Sequence, residues 1–319
     1  MSHRAALVSG TLFALAAGLM WGLVFIAPLL LPQYPALLLS TARYLAFGLI
    51  ALPLAGLDRA RLGELTRADW LEALKLSTIG NLLYYLCLAG AIQRAGGPLP
   101  TMIIGTLPVV IAVISNRRNA ARDGRLRWRQ LLPSLLLIAA GIACVNQVEL
   151  QQLREDPAAD VGRYAWGACL AVAAVACWTW YPLRNADWLR AHADRPPSTW
   201  ATAQGIATLP LAALGLAGFW LWHALAGSGD PGPPLGPTPM RFMALMFAIG
   251  LFASWVGTLC WNEASQRLPT NVAGQLIVFE TLAALAYAFM LRDQMPAALT
   301  FFGVALLVAG VLWALRAAP

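Results

Sequence analysis

Charge is the scarcest commodity in this chain: Asp, Glu, Lys and Arg make up 12% of its 319 residues, about half of the roughly 25% usual in soluble domains. So few charges cannot cover a normal water-facing surface, and a mean hydropathy of +0.64 agrees. Histidine is almost missing; His3, His192 and His223 each lie near a predicted helix end or tail. No metal and no cofactor are expected. The cysteines Cys87, Cys144, Cys169, Cys177 and Cys260 sit in apolar stretches without CxxC spacing. That pattern suggests neither a disulfide framework nor a zinc site, and the thiols read as small core fillers. Clustered Asp or His, or a serine beside a basic partner, is also lacking, which argues against an intramembrane transferase or protease.

What the chain has in abundance is apolar text. Hydrophobic residues reach 59% and run in stretches of about twenty, the length that crosses a bilayer core. Such windows predict an all-α membrane protein with ten transmembrane helices, at 9–31, 36–56, 70–93, 98–116, 131–148, 164–183, 198–224, 240–263, 270–291 and 297–316. The first run continues through Trp21 and Pro28, longer than a signal peptide, and reads as an uncleaved span. The stretch AGSGDPGPPLGPTP, residues 226–239, cannot continue a helix and reads as an exposed loop.

Arginine sets the orientation. With the N-terminus inside, fifteen arginines fall in cytoplasmic segments, Arg4, Arg59, Arg118, Arg190 and Arg267 among them. Five fall outside: Arg94, Arg154, Arg163, Arg241 and Arg292. Cytoplasmic loops carry the excess of positive charge, so both termini are expected in the cytoplasm. The net charge of +7 then follows from topology, and no nucleic-acid partner is needed to explain it.

The text also repeats. QRAGGPLPT at 93–101 returns as QRLPT at 266–270, ALAAGLMWG from Ala14 lies over AVAAVACWT from Ala171, and LPLA from Leu52 over LPLA from Leu209. LPTMIIGTL from Leu99 lies over LPTNVAGQL from Leu268. These matches run in order and divide the chain into five-helix repeats at 1–150 and 151–319. Five is odd, so the halves must have inverted topology, with a substrate site near the midplane between them.

Polar groups in the hydrocarbon are costly, about 2.5 to 3.5 kcal/mol for a central charge, so each needs a partner or a cavity. Asn81, Tyr84 and Tyr85 share a helix face at i, i+3 and i+4 and are expected to bind substrate, as are Trp255 and Gln275, with Asn81 and Gln275 hydrogen-bonding it; interhelical glue is the alternative for the first three. Trp21 and Trp178 hold matching places in the two repeats and suit stacking on a ring or planar cation, with plain core packing left open. In the eighth helix, Ser254, Thr258 and Trp261 share one face, and Trp255 and Asn262 the next. The ninth carries Asn271, Gln275 and Glu280, the last about ten residues from the helix start and so near mid-membrane at about 1.5 Å per residue. Glu280 binds a substrate ammonium group, exchanges a proton, or neutralises Arg43 in the second helix. At 100° per residue Gln275 and Glu280 share no wall unless the helix breaks, and Gly274 marks a place for that. Pro108 and Gly274 are candidate hinges, whereas Trp70, Trp128, Trp188, Trp200 and Trp220, near span ends, read as interfacial belt residues.

The AxxxWG text at Ala17 to Gly22, Arg43, the paired LPT helix starts and the glycines Gly303 and Gly310 of the last helix resemble the drug/metabolite transporter superfamily, specifically its EamA-type ten-helix exporters. The resemblance covers nearly the whole chain. Within the superfamily, MWGLVFIAPLLLP followed by STARYLAFG is most similar to the YddG-type aromatic amino acid exporters. It implies a bacterial inner-membrane carrier working by alternating access on a small-molecule substrate, an amino acid or amphipathic metabolite, with the lipid bilayer as its other partner. The residues themselves leave cationic drugs open as cargo, since aromatic walls and one acid serve these equally well.

Overall fold

A computed structural model describes residues 3–96, 98–118, 128–154, 160–226, 235–292 and 297–317. Among the described residues there are helices and turns but no strand. The main helices are α1 (Arg4–Leu30), α2 (Ala36–Leu57), α3 (Arg67–Ala95), α4 (Pro98–Ile104 and Leu107–Arg118), α5 (Trp128–Arg154), α6 (Val161–Ala191), α7 (Pro197–Ala226), α8 (Pro239–Arg267), α9 (Thr270–Leu276 and Val278–Arg292) and α10 (Ala298–Ala317). A helix thus lies over every predicted window. Seven of them, α1, α2, α3, α6, α7, α8 and α9, are long and apolar enough to cross a membrane; α5 and α10 contain shorter apolar segments, Leu132–Cys144 and Ala298–Gly310. The arginine-rich stretch 119–127, and 227–234 within the expected loop, lie outside the described residues.

Two helices are broken and two are locally underwound. α4 stops at Ile104 and restarts at Leu107, because Pro108 has no N–H to continue the ladder; the Gly105 and Thr106 amides turn back to Thr101 and Ile103 instead. α9 stops at Leu276 and restarts at Val278, with Ile277 between. α3 and α8 each carry a π segment, Ser77–Leu83 and Gly250–Val256. Such inserted turns recur at functional sites.

Packing follows a small set of pairs: α2 on α7, α5 on α10, α4 on α9, α3 on α6, and α1 on both α8 and α9. Glycines permit the closest of them. A Cβ on Gly48 would lie 2.6 Å from Leu209, and one on Gly205 would lie 2.6 Å from Ala51, so α2 and α7 meet backbone to side chain through small residues. Gly141 of α5 and Gly310 of α10 do the same for that pair: a Cβ on Gly141 would lie 2.6 Å from the Gly303 carbonyl oxygen and one on Gly310 2.8 Å from Ile138. These glycines therefore serve a contact inside the chain.

Two of the expected belt residues are core residues. Trp188 and Trp200 are 7% and 0% exposed and stack with centroids 3.5 Å apart. The Trp200 indole donates to Asn185 (2.9 Å) and that of Trp188 to Asp69 (2.7 Å). Position near a helix end suggested an interface; the polar partners waiting inside the bundle draw both rings inward.

Candidate functional site

The break in α9 and the π segments of α3 and α8 meet around one closed cavity. It is lined by Trp21 and Val24 of α1, Arg43 and Tyr44 of α2, Asn81 and Tyr84 of α3, Trp178 of α6, Ala253, Ser254 and Thr258 of α8, and Glu280 of α9. Its volume is about 10 Å³, about what one water needs and far below the roughly 300 Å³ of a small-ligand pocket. This conformer is occluded.

Rings form its walls. Trp178 is sandwiched between Tyr84 (4.7 Å, 19°) and Tyr181 (4.9 Å, 4°) and meets Trp21 edge to face (4.9 Å, 79°). Trp261 also leans on Trp21, at 5.2 Å and 47°. The π segment of α8 leaves the Ala253 carbonyl available, and the Trp21 indole donates to it (3.0 Å), which fixes that ring. Similarly, the Ser40 hydroxyl donates to the Leu82 carbonyl in the π segment of α3 (2.9 Å).

Glu280 is 1% exposed and stands in the first turn after the α9 break, where the helix dipole favours a carboxylate. The Tyr84 hydroxyl donates to Oε1 over a long 3.5 Å, while Oε2 has no hydrogen-bond partner. Arg43, 3% exposed, does not close an ion pair with it. Its guanidinium lies over the rings of Tyr85 (4.4 Å) and Tyr44 (4.7 Å), and Nε donates to Ser254 Oγ (3.0 Å). A desolvated cation–π contact contributes about 2 kcal/mol and a hydrogen bond from a charged group about 1.5 to 3. Together these offset the cost of the buried charge, so Arg43 is held without Glu280. The reading of Glu280 as its neutralising partner gives way to one in which both charges face the same small space.

Unused hydrogen-bonding capacity gathers here. Arg43 Nη1, Asn81 Nδ2, Trp178 Nε1 and Glu280 Oε2 are buried without a partner, and all four belong to cavity-lining residues. Each orphan costs about 1 to 3 kcal/mol. Four of the nine such atoms among the described residues thus lie in this one lining, a clustering that calls for a functional explanation.

Of the residues singled out from sequence, Trp21, Asn81, Tyr84, Trp178, Glu280 and Arg43 converge on the cavity. Tyr85 lies just behind it, its ring under Arg43 and its hydroxyl donating to the Val24 carbonyl (3.3 Å). Trp255 is half-buried and off the cavity. Gln275 turns away: its Oε1 lies 3.1 Å from the Ser134 hydroxyl of α5. The Asn271 side chain lies outside the described ones. Gly274 packs against α4, where a Cβ would come 2.4 Å from Ile111, and Pro108 begins the second half of that broken helix. Tyr44, Ser254 and Thr258 join the lining. The Arg-Tyr pair in STARY was the sequence signal for the first, and the Ser254/Thr258 face for the others.

Polar contacts shut the cavity off at both ends of the bundle. On the side of the α6 C-terminus, Tyr181 donates to Gln204 (2.8 Å), Gln204 and Trp200 donate to Asn185, and Asn185 to Asn262 (2.8 Å). Beyond them, Arg184 grips Glu72 (2.5 Å) in a surface cleft of about 430 Å³. At the other end, Tyr34 stacks on Phe242 (4.5 Å) and donates to the Leu235 carbonyl (2.8 Å), while Gln93 donates to the Tyr34 carbonyl (2.6 Å). A second cleft, about 580 Å³, lies beside them.

Comparison with known proteins places this architecture. Residues 8–147 match the model of the EamA-like transporter family. Inner membrane protein YtfF of Escherichia coli (strain K12) is 55% identical over 315 residues, 98% of this chain and 97% of that protein. A solved crystal structure superposes with a TM-score of 0.70 at 19% identity, covering 98% of each chain, and at that identity it bears on the fold alone.

Proposed function

Since the chain belongs to the EamA-like transporter family, we propose that it is an inner-membrane exporter of small organic solutes, aromatic and other apolar amino acids in particular, working by alternating access. The observation that carries the substrate class is the closed, aromatic-walled cavity around one buried carboxylate, with Trp21, Trp178 and Tyr84 offering ring surface beside Glu280. Rings take an apolar side chain; the carboxylate takes an ammonium group.

The transport cycle rests on a ten-span, inverted-repeat arrangement. The two π segments begin at Ser77 and Gly250 and end at Leu83 and Val256, the same spacing at both ends. Both LPT-started helices, α4 and α9, are broken. The pairs α2 on α7, α4 on α9 and α5 on α10, with α3 on α6 answering α1 on α8, are those a two-fold axis between the halves would generate. Broken helices at corresponding positions of inverted repeats mark the binding site of many carriers. With the arginine-rich ends inside, the cleft at Glu72 and Arg184 opens to the cytoplasm and that at Tyr34 and Arg163 to the outside. Alternating access then means releasing one set of end contacts while the other holds.

Release of preloaded radiolabelled phenylalanine from proteoliposomes tests this reading, with a polyamine and methyl viologen in parallel. Selective phenylalanine release is expected. Movement of methyl viologen without any amino acid would transfer the assignment to cationic drugs.

A further inference from the structure

The cavity holds one guanidinium and one carboxyl group that do not bond each other, and we infer that it is built for a zwitterion: Arg43 with Asn81 takes a substrate α-carboxylate while Glu280 takes the α-ammonium group. The inference rests on the amino-acid reading above and narrows it, by joining Arg43, expected to be structural or gating, with Asn81, expected to hydrogen-bond the substrate, in one carboxylate half-site. Arg43 carries the weight. Tyr85 and Tyr44 cover guanidinium faces, and ring faces do not consume the in-plane N–H groups. Nε is spent on Ser254; Nη1 is left without an acceptor. A carboxylate approaches a guanidinium in that plane. Asn81 Nδ2 is a second donor without an acceptor, supplied to the same cavity by the π segment of α3.

The anionic half comes from the opposite repeat. Glu280 Oε2 is the orphan acceptor, and an ammonium group is the donor that supplies both hydrogen bonds and opposite charge. A simple amine meets Glu280 but is repelled by Arg43; a simple acid meets Arg43 but is repelled by Glu280. Only a molecule bearing both poles leaves neither charge unpaired, and an unpaired buried charge is the strongest source of rejection in such a site. The rings then receive the side chain.

The test is counterflow of radiolabelled phenylalanine into proteoliposomes of the full chain, with two competitors that each lack one pole: phenethylamine, without the carboxylate, and 3-phenylpropionate, without the ammonium. Each should compete at least about tenfold more weakly than unlabelled phenylalanine. In Arg43→Gln the phenylalanine KM should rise about tenfold or more and the margin over phenethylamine should shrink. Asn81→Leu, which leaves the cation–π contacts untouched, should move the same margin in the same direction, and reads the half-site even where Arg43→Gln does not fold. Equal competition by phenylalanine and phenethylamine in the wild type, or an unchanged margin in Asn81→Leu, overturns the carboxylate half-site while leaving amino-acid export intact. Absence of phenylalanine counterflow from vesicles that do move methyl viologen overturns the substrate reading beneath it.

Discussion

Trp21 and Trp178 meet edge to face with ring centroids 4.9 Å apart, although 157 residues of chain separate them. Neither ring is free to tilt. Trp21 is pinned by its bond to the Ala253 carbonyl and Trp178 by the parallel rings of Tyr84 and Tyr181. Replacing Trp178 by Phe should keep the stack and cost phenylalanine transport only a few-fold. Trp178→Ala removes a 5% exposed side chain and should lower stability by about 3 to 5 kcal/mol, read as a fall in thermal midpoint in detergent. Trp21→Phe loses the bond to Ala253, about 1 to 3 kcal/mol, and adds the cost of the space left by the smaller ring. Equal effects of Trp178→Phe and Trp178→Ala on transport would mean that the stack has no part in binding.

How much of this was legible in advance depends on what interrupts the helices. Apolar run length placed a helix over each expected window, because the bilayer dictates length more strictly than packing does. The repeat text brought Trp21 and Trp178 into correspondence, and depth alone put Glu280 level with Arg43. The misses share a cause. Faces were assigned at 100° per residue, yet Asn81 sits in a π segment, which changes the angular step, and Tyr85 falls behind the cavity rather than on it. The α9 break lies at Ile277, three residues past Gly274, and separates Gln275, committed to Ser134, from Glu280. Neither π turns nor the position of a break follows from apolar periodicity. They arise where side chains from other helices, such as Ser40 and Trp21, are placed to satisfy released carbonyls.

Glu280→Gln separates function from scaffold. Gln keeps the shape and can still bond the Tyr84 hydroxyl, but it carries no charge. Because Glu280 has one oxygen without a hydrogen-bond partner and closes no ion pair among the described residues, removing its charge also removes a desolvation cost. Thermal stability should therefore hold or rise while phenylalanine release falls at least about tenfold. Breaking a true buried ion pair would instead cost about 3 to 5 kcal/mol. A loss of that size would return Glu280 to a structural role.

Gly80 probes the wall from behind. A Cβ there would lie 2.1 Å from Cδ2 of Tyr181, whose ring cannot retreat without leaving Trp178 and Gln204. Gly80→Ala should cost about 1 to 3 kcal/mol through overpacking and slow transport by disturbing the Trp178 stack. Gly56→Ala, with nothing near its Cβ, should stay within about 0.5 kcal/mol of wild type. Matching thermal midpoints for the two variants would show that the Gly80 contact yields without strain.

The contact between Gly274 and Ile111 ties the broken helices to each other. A Cβ on Gly274 would come 2.4 Å from Ile111 Cγ2, and Ile111 is itself fully buried in the second half of α4. Gly274→Ala must push α9 away from α4 just before the Ile277 break, and with it the turn that carries Glu280. The single variant should lose about 1 to 3 kcal/mol and a larger share of transport than of stability. Ile111→Ala, costing about 2 to 5 kcal/mol alone, removes the Cγ2 methyl that collides. The double variant should then recover part of both losses, with a coupling of about 0.5 to 3 kcal/mol in a double-mutant cycle. Strict additivity would mean that the two helices move apart without consequence. In that event the break in α9 would owe nothing to its fit against α4, and the hinge would have to be sought at the π segments instead.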